Sequence, residues 1–214
     1  MQRVVETFRK NRLIPVIVID DPRQAVPLAR AMEEGGLPCA EITFRTPRAL
    51  EALEKISTEC PSVLVGAGTV LTPQQAEDAR SAGAKFIVAP GFSAAMVDYC
   101  VENHLPVFPG IATPTELEFA LSRGLSVVKF FPAEPLGGIA YLKAISAPYG
   151  HVEFLPSGGI GLSNLDSYLS SPRVIACGGS WMAPADWISA GQFDRIRDEV
   201  RKSVDAARAV KENR

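Results

Sequence analysis

One lysine stands inside a stretch of sequence that otherwise predicts a buried strand. Lys129 interrupts the apolar run 126–132, SVVKFFP, and strands this apolar are normally covered on both faces. Burial disfavours the charged ammonium form of a lysine, and a neutral amine near pH 7 is a nucleophile that commonly forms a Schiff base with a carbonyl substrate. The alternative is a strand-end lysine that extends to solvent or holds an ion pair. Lys129 is therefore a candidate catalytic nucleophile.

A second set of polar residues alternates along another predicted strand. Glu41, Thr43 and Arg45 occupy every second position of the segment 41–46, EITFRT, so they share one strand face. A carboxylate on that face could transfer protons, and a guanidinium could bind an anionic group of a substrate. A structural ion pair between Glu41 and Arg45 is the alternative. We treat Glu41 as a candidate acid/base and Arg45 as a candidate anion ligand.

Small residues follow several of the predicted strands. Thr69 ends the segment 66–69, GAGT, and offers a hydroxyl group, although close packing also explains this segment. The segments 89–91, APG, and 108–110, FPG, predict rigid turns that shape a pocket. Glycine pairs occur in 156–160, PSGGI, and in 177–180, CGGS. Such pairs let backbone N–H groups approach phosphate oxygens. Either pair alone could be a turn, but together they predict a phosphate site.

The elements that position these residues alternate in a regular order. Short apolar runs recur at intervals of roughly twenty residues, and each is followed by an amphipathic segment. The predicted strands are 14–19, 39–44, 63–69, 86–90, 106–111, 127–131, 152–156 and 174–177. The predicted helices are 23–34, 47–57, 73–82, 94–103, 114–122, 139–144, 163–169 and 193–210. Proline is expected to open three helices and glycine to close three, at Pro47, Pro73 and Pro114 and at Gly35, Gly83 and Gly124.

Eight strand–helix units predict an α/β fold, a single-domain (β/α)8 TIM barrel that spans residues 1–214. Residues 1–11 are expected to form an extra N-terminal helix, and the barrel to occupy about 13–210. In such a barrel the active site lies at the carboxyl ends of the strands, and the loops after strands seven and eight commonly bind phosphate. A doubly wound open sheet is the alternative. It would need a glycine-rich loop after the first strand, where the chain has 18–22, VIDDP.

Composition and charge restrict the classes of function. The chain has a net charge of -2, which does not indicate nucleic acid or an anionic membrane as a partner. Its four cysteines form no C-x-x-C pair, which argues against a zinc cluster and a disulfide framework. His104 and His151 are predicted away from the catalytic rim, so no metal site is expected, and Trp181 and Trp187 are expected to pack. Without a signal-like or membrane-spanning segment, a cytoplasmic location is predicted.

Five segments together resemble the 2-keto-3-deoxy-6-phosphogluconate (KDPG) aldolase and 4-hydroxy-2-oxoglutarate (KHG) aldolase family. They are 41–46, EITFRT; 66–70, GAGTV; 128–134, VKFFPAE; 156–160, PSGGI; and 178–181, GGSW. The resemblance extends from about residue 14 to 200, with the motifs in the family's order. It implies a class I aldolase, a lyase of the Entner–Doudoroff pathway that uses no metal or other cofactor. The implied substrate is a phosphorylated 2-keto acid, cleaved to pyruvate and glyceraldehyde 3-phosphate, and the implied assembly is a homotrimer.

The resemblance also implies a role for each matching residue. Lys129 resembles the Schiff-base lysine and Glu41 the general acid/base. Groups that bind the pyruvate carboxylate or the rest of the substrate are implied at Arg45, Thr69, Pro90 and Phe131. The phosphate end is implied at Ser157, Gly158, Gly159, Gly179 and Ser180. Ser157 departs from the threonine common at this position; it keeps the hydroxyl and loses one methyl group.

Several functions remain open at this point. The chain could also act on 4-hydroxy-2-oxoglutarate, or be the 2-keto-3-deoxy-6-phosphogalactonate aldolase of the same family, which shares the lysine and the glutamate. The Ser157 hydroxyl near the sugar favours the gluconate. A non-catalytic barrel that binds a sugar phosphate belongs to a different class, and it would have no need of a buried lysine facing a carboxylate. A metal-dependent class II aldolase is disfavoured because histidine ligands are lacking.

Overall fold

The computed structural model describes residues 1–210, and the last four residues of the predicted domain, 211–214, lie outside the described residues. Over this range short strands alternate with helices along the chain, which is an α/β architecture. The strands, in chain order, are β1 (Leu13–Ile17), β2 (Cys39–Thr43), β3 (Leu64–Gly68), β4 (Ile87–Val88), β5 (Val107–Phe108), β6 (Gly110–Ile111), β7 (Val127–Phe130), β8 (Glu153–Pro156) and β9 (Cys177–Gly179).

The helices cover the strands and mostly follow them one by one. They are α1 (Gln2–Asn11), α2 (Ala25–Glu34), α3 (Ala49–Glu59), α4 (Pro73–Ser81), α5 (Ala94–Glu102), α6 (Pro114–Leu121), α7 (Gly138–Ser146), α8 (Leu165–Leu169), α9 (Ala185–Ser189) and α10 (Phe193–Ala209). Residues Pro22–Gln24 add a 3-10 turn before α2. Among residues 1–210, none of the helices has the combined length and hydrophobicity that a bilayer crossing requires.

Local sequence explains where two of these helices begin. The Thr113 side chain accepts from the Glu116 backbone while the Glu116 carboxylate accepts from the backbone of Thr113, which is a capping box. Pro114 and Pro73 each occupy a first helical position, as predicted. The start of α6 is thus set by three residues, so the chain leaves β6 and turns into a helix without a long loop.

The strands pair in parallel in two sheets. One has the order β5-β4-β3-β2-β1-β9 and the other has the order β6-β7-β8. Only Pro109 separates β5 from β6, and isolated bridges join Phe154 with Val174 and Ser157 with Gly178. Since all paired strands are parallel, their carboxyl ends lie on one side. The predicted site residues follow these ends.

Helix α1 forms as predicted. It packs against residues of the strands through one aromatic side chain, Phe8. Phe8 is fully buried and its ring lies 5.1 Å from Phe86 and 5.3 Å from Phe108, centroid to centroid. Arg9, one residue on, pairs with Glu153 at the start of β8. The buried hydrophobic residues form two clusters. The smaller one contains the three packed rings of Phe8, Phe86 and Phe108.

We expect Phe8→Ala to destabilise the protein by about 3–5 kcal/mol, because a fully buried ring leaves a cavity that its neighbours fill only in part. Chemical denaturation of the variant and the wild type measures the difference in the free energy of unfolding. The matched control is Thr7→Ala on the same helix, whose hydroxyl donates only to the backbone oxygen of Arg3 and is exposed. A loss for Phe8→Ala no larger than for this control would show that α1 contributes little to stability.

The junction after α1 is held by a single arginine. Arg12 has φ 60°, and its guanidinium donates to the backbone oxygens of Leu169, Ala207 and Val210 at 2.7–2.8 Å. Its own carbonyl accepts from the backbone N–H of Cys177 at 2.9 Å. Carbonyl oxygens at helix ends lack intrahelical partners, so Arg12 supplies donors for α8 and α10 while its backbone adjoins β9.

Several predicted boundaries are wrong, each for a local reason. The eighth strand is Cys177–Gly179 rather than 174–177, because its two glycines pair with β1 but add nothing to an apolar run. Pro109 breaks the fifth predicted strand because proline has no N–H to donate. The short helix α9 was not predicted. Helix α3 begins at Ala49, so Pro47 does not open it.

The glycine predicted to close α2, Gly35, is the C-cap of that helix, but the next residue makes the turn. Gly35 keeps a helical φ of -72° and Gly36 has the positive φ of 89°. A Cβ on Gly35 would lie 2.6 Å from the Val200 side chain of α10. Gly35 is therefore required for close helix packing, and Gly36 for the turn. Gly83 and Gly124 do have positive φ, at 95° and 75°.

Candidate active site

The buried lysine predicted from the sequence lies next to the predicted acid/base. Lys129 on β7 and Glu41 on β2 are 6% and 3% exposed, and Lys129 Nζ lies 3.4 Å from Glu41 Oε1. A hydrogen bond joins the two atoms. Taking both groups out of water costs several kcal/mol per ion, which their attraction repays only in part. Such a pair is weak evidence for stability, and its position calls for a chemical explanation.

The neighbouring strand leaves room for the Glu41 carboxylate. Gly68 ends β3 beside β2, where it pairs with Thr43, and a Cβ on Gly68 would collide with the carboxylate of Glu41. The glycine at the end of β3 therefore makes room for the catalytic candidate. Thr43 itself donates its hydroxyl to the Ile17 backbone oxygen at 2.6 Å, so its side chain links β2 to β1.

Arg45 and Thr69 lie together just beyond β2 and β3. Arg45 Nε donates to Thr69 Oγ1 at 3.3 Å. Thr69 has φ 57°, a left-handed conformation that is rare for a β-branched residue and recurs at functional sites. Among residues 1–210 the ion pair of Glu41 is with Lys129 and none joins it to Arg45, so the structural alternative for Arg45 is wrong.

A cavity of about 470 Å³ opens beside these groups. Its lining includes Arg45, Phe131 and both glycine-pair loops, which contribute Ser157, Gly158, Gly159, Gly179 and Ser180. Phe131 connects the cavity to the buried pair, because Lys129 Nζ lies 5.1 Å from the centroid of its ring. The cavity therefore adjoins a buried amine, with one arginine at its edge. Its size suits a small phosphorylated metabolite.

Other titratable groups near the strands do not compete with this pair. Burial raises the pKa of the thiols of Cys39 and Cys177, and it raises that of Cys100 to about 12. These thiols are therefore protonated and unreactive near neutral pH. Burial, together with a hydrogen bond to Glu134, also raises the pKa of Tyr168, which stays a donor. Within the described residues, no three His, Cys, Asp or Glu side chains are grouped as a metal site would require.

Comparison with known proteins decides the family. The family model for KDPG and KHG aldolase matches residues 4–199. The 2-dehydro-3-deoxy-phosphogluconate aldolase of Treponema pallidum is 52% identical over 92% of this chain and 93% of its own, and the KHG/KDPG aldolase of Escherichia coli K12 is 42% identical over 92% of each. The chain belongs to the KDPG and KHG aldolase family.

A solved structure of a KDPG aldolase is also similar in three dimensions. It is the enzyme from Legionella pneumophila with pyruvate captured at low pH as a covalent carbinolamine intermediate. Its sequence is 40% identical, the match covers 92% of this chain and 96% of that one, and the TM-score is 0.90. A carbinolamine is the adduct of an amine with a ketone, so that protein joins pyruvate covalently.

Seven of the eleven residues predicted for an aldolase site line the cavity, and Lys129, Glu41, Thr69 and Pro90 do not. Pro90 lines a separate depression with Val70, Leu71 and Phe92. Its carbonyl lies so close to Gly110 that a Cβ on Gly110 would collide with it. The turn predicted at 89–91 thus positions the neighbouring strand, and its contact is made through the backbone. His104 and His151 are not among the cavity residues.

Trp181 has a larger part in the aldolase cavity than the sequence indicated. Its ring lines the cavity and covers Gly179, where any Cβ would collide with it. Its indole Nε1 donates to Ser203 Oγ at 3.0 Å, and Ser203 is fully buried on α10. The tryptophan does pack, as predicted, but it packs as a wall of the site. The sequence did offer one indication of this role: Ser203 lies on the otherwise apolar face of α10, where a buried hydroxyl needs a hydrogen-bond partner.

Proposed function

We propose that this chain is a class I aldolase that cleaves KDPG to pyruvate and glyceraldehyde 3-phosphate. The observation that carries the proposal is the 3.4 Å approach of Lys129 Nζ to Glu41 Oε1 in a nearly inaccessible site beside the cavity. A nucleophilic amine and a proton-transferring carboxylate are the two groups that Schiff-base aldol cleavage needs. A protein that only binds a sugar phosphate gains nothing from burying them.

The two groups take complementary roles in the proposed mechanism. The neutral Lys129 amine attacks the C2 ketone to form a carbinolamine, and loss of water gives a protonated imine. Glu41, directly or through water, removes the proton of the C4 hydroxyl while the C3–C4 bond breaks and its electron pair moves into the imine. Glyceraldehyde 3-phosphate leaves, Glu41 returns a proton to C3 of the enamine, and hydrolysis releases pyruvate and Lys129.

Arg45 and Thr69 are proposed to bind the carboxylate of the pyruvate part. Arg45 Nε is engaged by Thr69 Oγ1 at 3.3 Å, which orients the guanidinium and leaves its terminal nitrogens as donors. A guanidinium binds a carboxylate through two parallel hydrogen bonds and so fixes the position of the ketone. Phe131 contributes an apolar wall between the buried amine and the cavity.

We expect Arg45→Lys to raise the KM for phosphorylated and unphosphorylated 2-keto acids alike, by about tenfold. An ammonium group cannot replace the guanidinium fork, and a hydrogen bond to a charged group is worth about 1.5–3 kcal/mol. Steady-state kinetics with KDPG and with 4-hydroxy-2-oxoglutarate measures the effect. Arg48→Lys is the matched control, because Arg48 is exposed and pairs with Glu51. An increase confined to the phosphorylated substrate would place Arg45 at the phosphate end instead.

The two glycine-pair loops are proposed to bind the phosphate at the other end of the substrate. Gly158 and Gly159 have φ of 99° and 83°, and with Ser157, Gly179 and Ser180 they line the cavity. Residues without a Cβ allow phosphate oxygens to come close to backbone N–H groups. The Ser157 hydroxyl lies at the junction of the two loops, since Ser157 forms a bridge with Gly178.

The finer architecture is proposed to be a single (β/α)8 TIM barrel over residues 1–214, opened by the extra helix α1. Two features of the described chain support it. The strands β5 and β6 flank one proline, so they act as two halves of one strand. The bridge from Ser157 to Gly178 and that from Phe154 to Val174 bring the second sheet to β9 at the edge of the first.

Assembly as a cytoplasmic homotrimer is proposed on family grounds and is supported by exposed apolar residues. Leu71 and Phe119 are 53% and 51% exposed, and Phe92 lies between them, lining one depression with Leu71 and stacking on Phe119 at 5.9 Å. Contiguous apolar surface of this kind marks protein contacts. Light scattering should give three times the 23.0 kDa mass of the chain. A monomer would contradict the assembly without bearing on the chemistry.

A substrate panel tests the proposed function directly. Wild-type protein is assayed with KDPG, with its galactonate epimer and with 4-hydroxy-2-oxoglutarate, by following the release of pyruvate. We expect the highest kcat/KM for KDPG and lower, measurable cleavage of 4-hydroxy-2-oxoglutarate. Preference for the galactonate would support the alternative aldolase of the family. No cleavage of any of the three would leave only a binding function.

A further inference from the structure

We propose that Asn164 is a positioning residue that aims backbone N–H groups of the phosphate loop, defined as residues 157–161, at the substrate phosphate. The inference rests on the proposed function, because it concerns the phosphate end of the same cavity. Asn164 does not line that cavity. It acts through the backbone of the loop, and it immediately precedes α8.

Three successive carbonyl groups of the phosphate loop are engaged by donors outside it. The Ser157 oxygen accepts from the backbone N–H of Ala133 at 2.8 Å, and the Gly158 oxygen accepts from that of Glu134 at 3.0 Å. The Gly159 oxygen accepts from Asn164 Nδ2 at 3.1 Å. The first two donors are backbone groups, which any residue except proline would supply. The third is a side chain and depends on the identity of residue 164.

Because each carbonyl shares a peptide plane with the N–H of the next residue, the three hydrogen bonds also set the direction of those N–H groups. Within residues 1–210 the one cis peptide bond is Phe131–Pro132, so the peptides of the phosphate loop are trans. In a trans peptide the C=O and the N–H point in roughly opposite directions. The N–H groups of Gly158, Gly159 and Ile160 therefore point away from the three donors, and all three residues line the cavity.

The last two of these N–H groups are available to a ligand. No hydrogen bond in the described part of the chain uses the backbone N–H of Gly159 or Ile160, whereas those of Ser157 and Gly161 have acceptors and that of Gly158 faces β9, where Ser157 forms a bridge with Gly178. Consecutive free N–H groups form a concave site for an anion. Across the described residues that line the cavity, Arg45 is the one charged side chain, so no carboxylate opposes an anion there.

The Asn164 amide uses both its donor and its acceptor on this loop. Besides the bond to Gly159, its Oδ1 accepts from the N–H of Gly161 at 2.9 Å. Its side chain makes no capping hydrogen bond to α8, although asparagine favours that role at this position. The side chain spans the Gly159–Gly161 turn and holds both peptides that flank Ile160. Glu134 packs on the other side, where a Cβ on Gly159 would lie 2.6 Å from its Cβ.

The test compares phosphorylated and unphosphorylated substrates in Asn164→Ala. We expect kcat/KM for KDPG to fall about tenfold to a hundredfold, the range for a hydrogen bond to a charged group. The kcat/KM for 4-hydroxy-2-oxoglutarate and the exchange of pyruvate methyl protons should change less than twofold, and inorganic phosphate should inhibit more weakly. The matched control is Ser163→Ala, an exposed neighbour with no side-chain hydrogen bond within the described residues.

Each outcome separates this inference from the function on which it rests. Equal losses on both substrates, or no loss on KDPG, overturn the role of Asn164 while the aldolase proposal stands. A wild type that shows no preference for the phosphorylated substrate and no inhibition by phosphate overturns the phosphate end itself. If Asn164→Ala does not fold, Asn164→Asp decides, because it keeps the acceptor for Gly161 and removes the donor to Gly159. It is measured at about 1 M salt, where added charge is screened within about 3 Å.

Discussion

Lys129→Arg is expected to abolish aldol cleavage while leaving the protein folded. Arginine keeps a positive charge opposite Glu41, but a guanidinium stays protonated and cannot form an imine. Loss of a covalent nucleophile lowers kcat by on the order of 10⁶-fold. Lys129→Ala should lose activity equally and also stability, by about 3–5 kcal/mol, because it leaves a buried carboxylate without its partner. Turnover and denaturant unfolding are measured on both variants.

Covalent trapping identifies the atom that carries the chemistry. Wild-type protein treated with pyruvate and borohydride should gain a stable adduct that peptide mapping assigns to Lys129, and neither variant should gain it. An adduct on another lysine, or activity retained by Lys129→Arg, would overturn the Schiff-base assignment. Chelation with EDTA should leave turnover unchanged, and a strong loss would reopen the metal-dependent alternative.

Glu41→Gln is expected to lower turnover by roughly 10²–10⁴-fold, the usual contribution of a general acid/base. The amide keeps the shape of the side chain, so substrate binding should be retained while proton transfer is lost. Exchange of the pyruvate methyl protons should fall together with cleavage, because both need the same carboxylate. Cleavage kinetics and the exchange rate, followed by NMR in deuterated buffer, provide the two measurements.

A variant on the same strand separates proton transfer from structure. Thr43→Val removes the buried hydrogen bond from Thr43 to the Ile17 backbone and should cost about 1–3 kcal/mol of stability, with nearly normal exchange in the folded protein. Glu41→Gln should instead lose the exchange in the protein that remains folded. Normal exchange in a destabilised Glu41→Gln protein would mean that the carboxylate only pairs with Lys129.

Periodicity in the sequence was sufficient for the order of the elements and for most of their positions. Apolar runs and capping residues placed every helix from α1 to α8 and α10, since both signals are local. Strand ends were less predictable where the chain lacks side chains, as at Gly178 and Gly179, because pairing with β1 is a long-range interaction. The five-residue helix α9 is too short to show a helical period.

The site was predictable as a set of residue types but not as a geometry. An isolated lysine in an apolar run and a carboxylate on a strand face indicated Lys129 and Glu41, although 88 positions apart in the chain. Their contact depends on how the sheets pack, which no local pattern encodes. Trp181 was underestimated for the same reason. Its role is set by a serine on α10, a helix that packs against the site from the far end of the sequence.

Because Gly68 leaves space for Glu41, the substitutions that β3 accepts at position 68 depend on the residue that β2 has at position 41. While a glutamate occupies position 41, a Cβ at position 68 would collide with its side chain, so substitution there displaces the acid/base. Shortening the acid by one carbon would not relieve the conflict, because an aspartate keeps Cγ, and Glu41 Cγ would lie 2.6 Å from that Cβ. The two positions are therefore epistatic: a larger residue at 68 becomes tolerable only after position 41 has changed. In a library that changes β3 one residue at a time, we expect no active variant with a substitution at position 68.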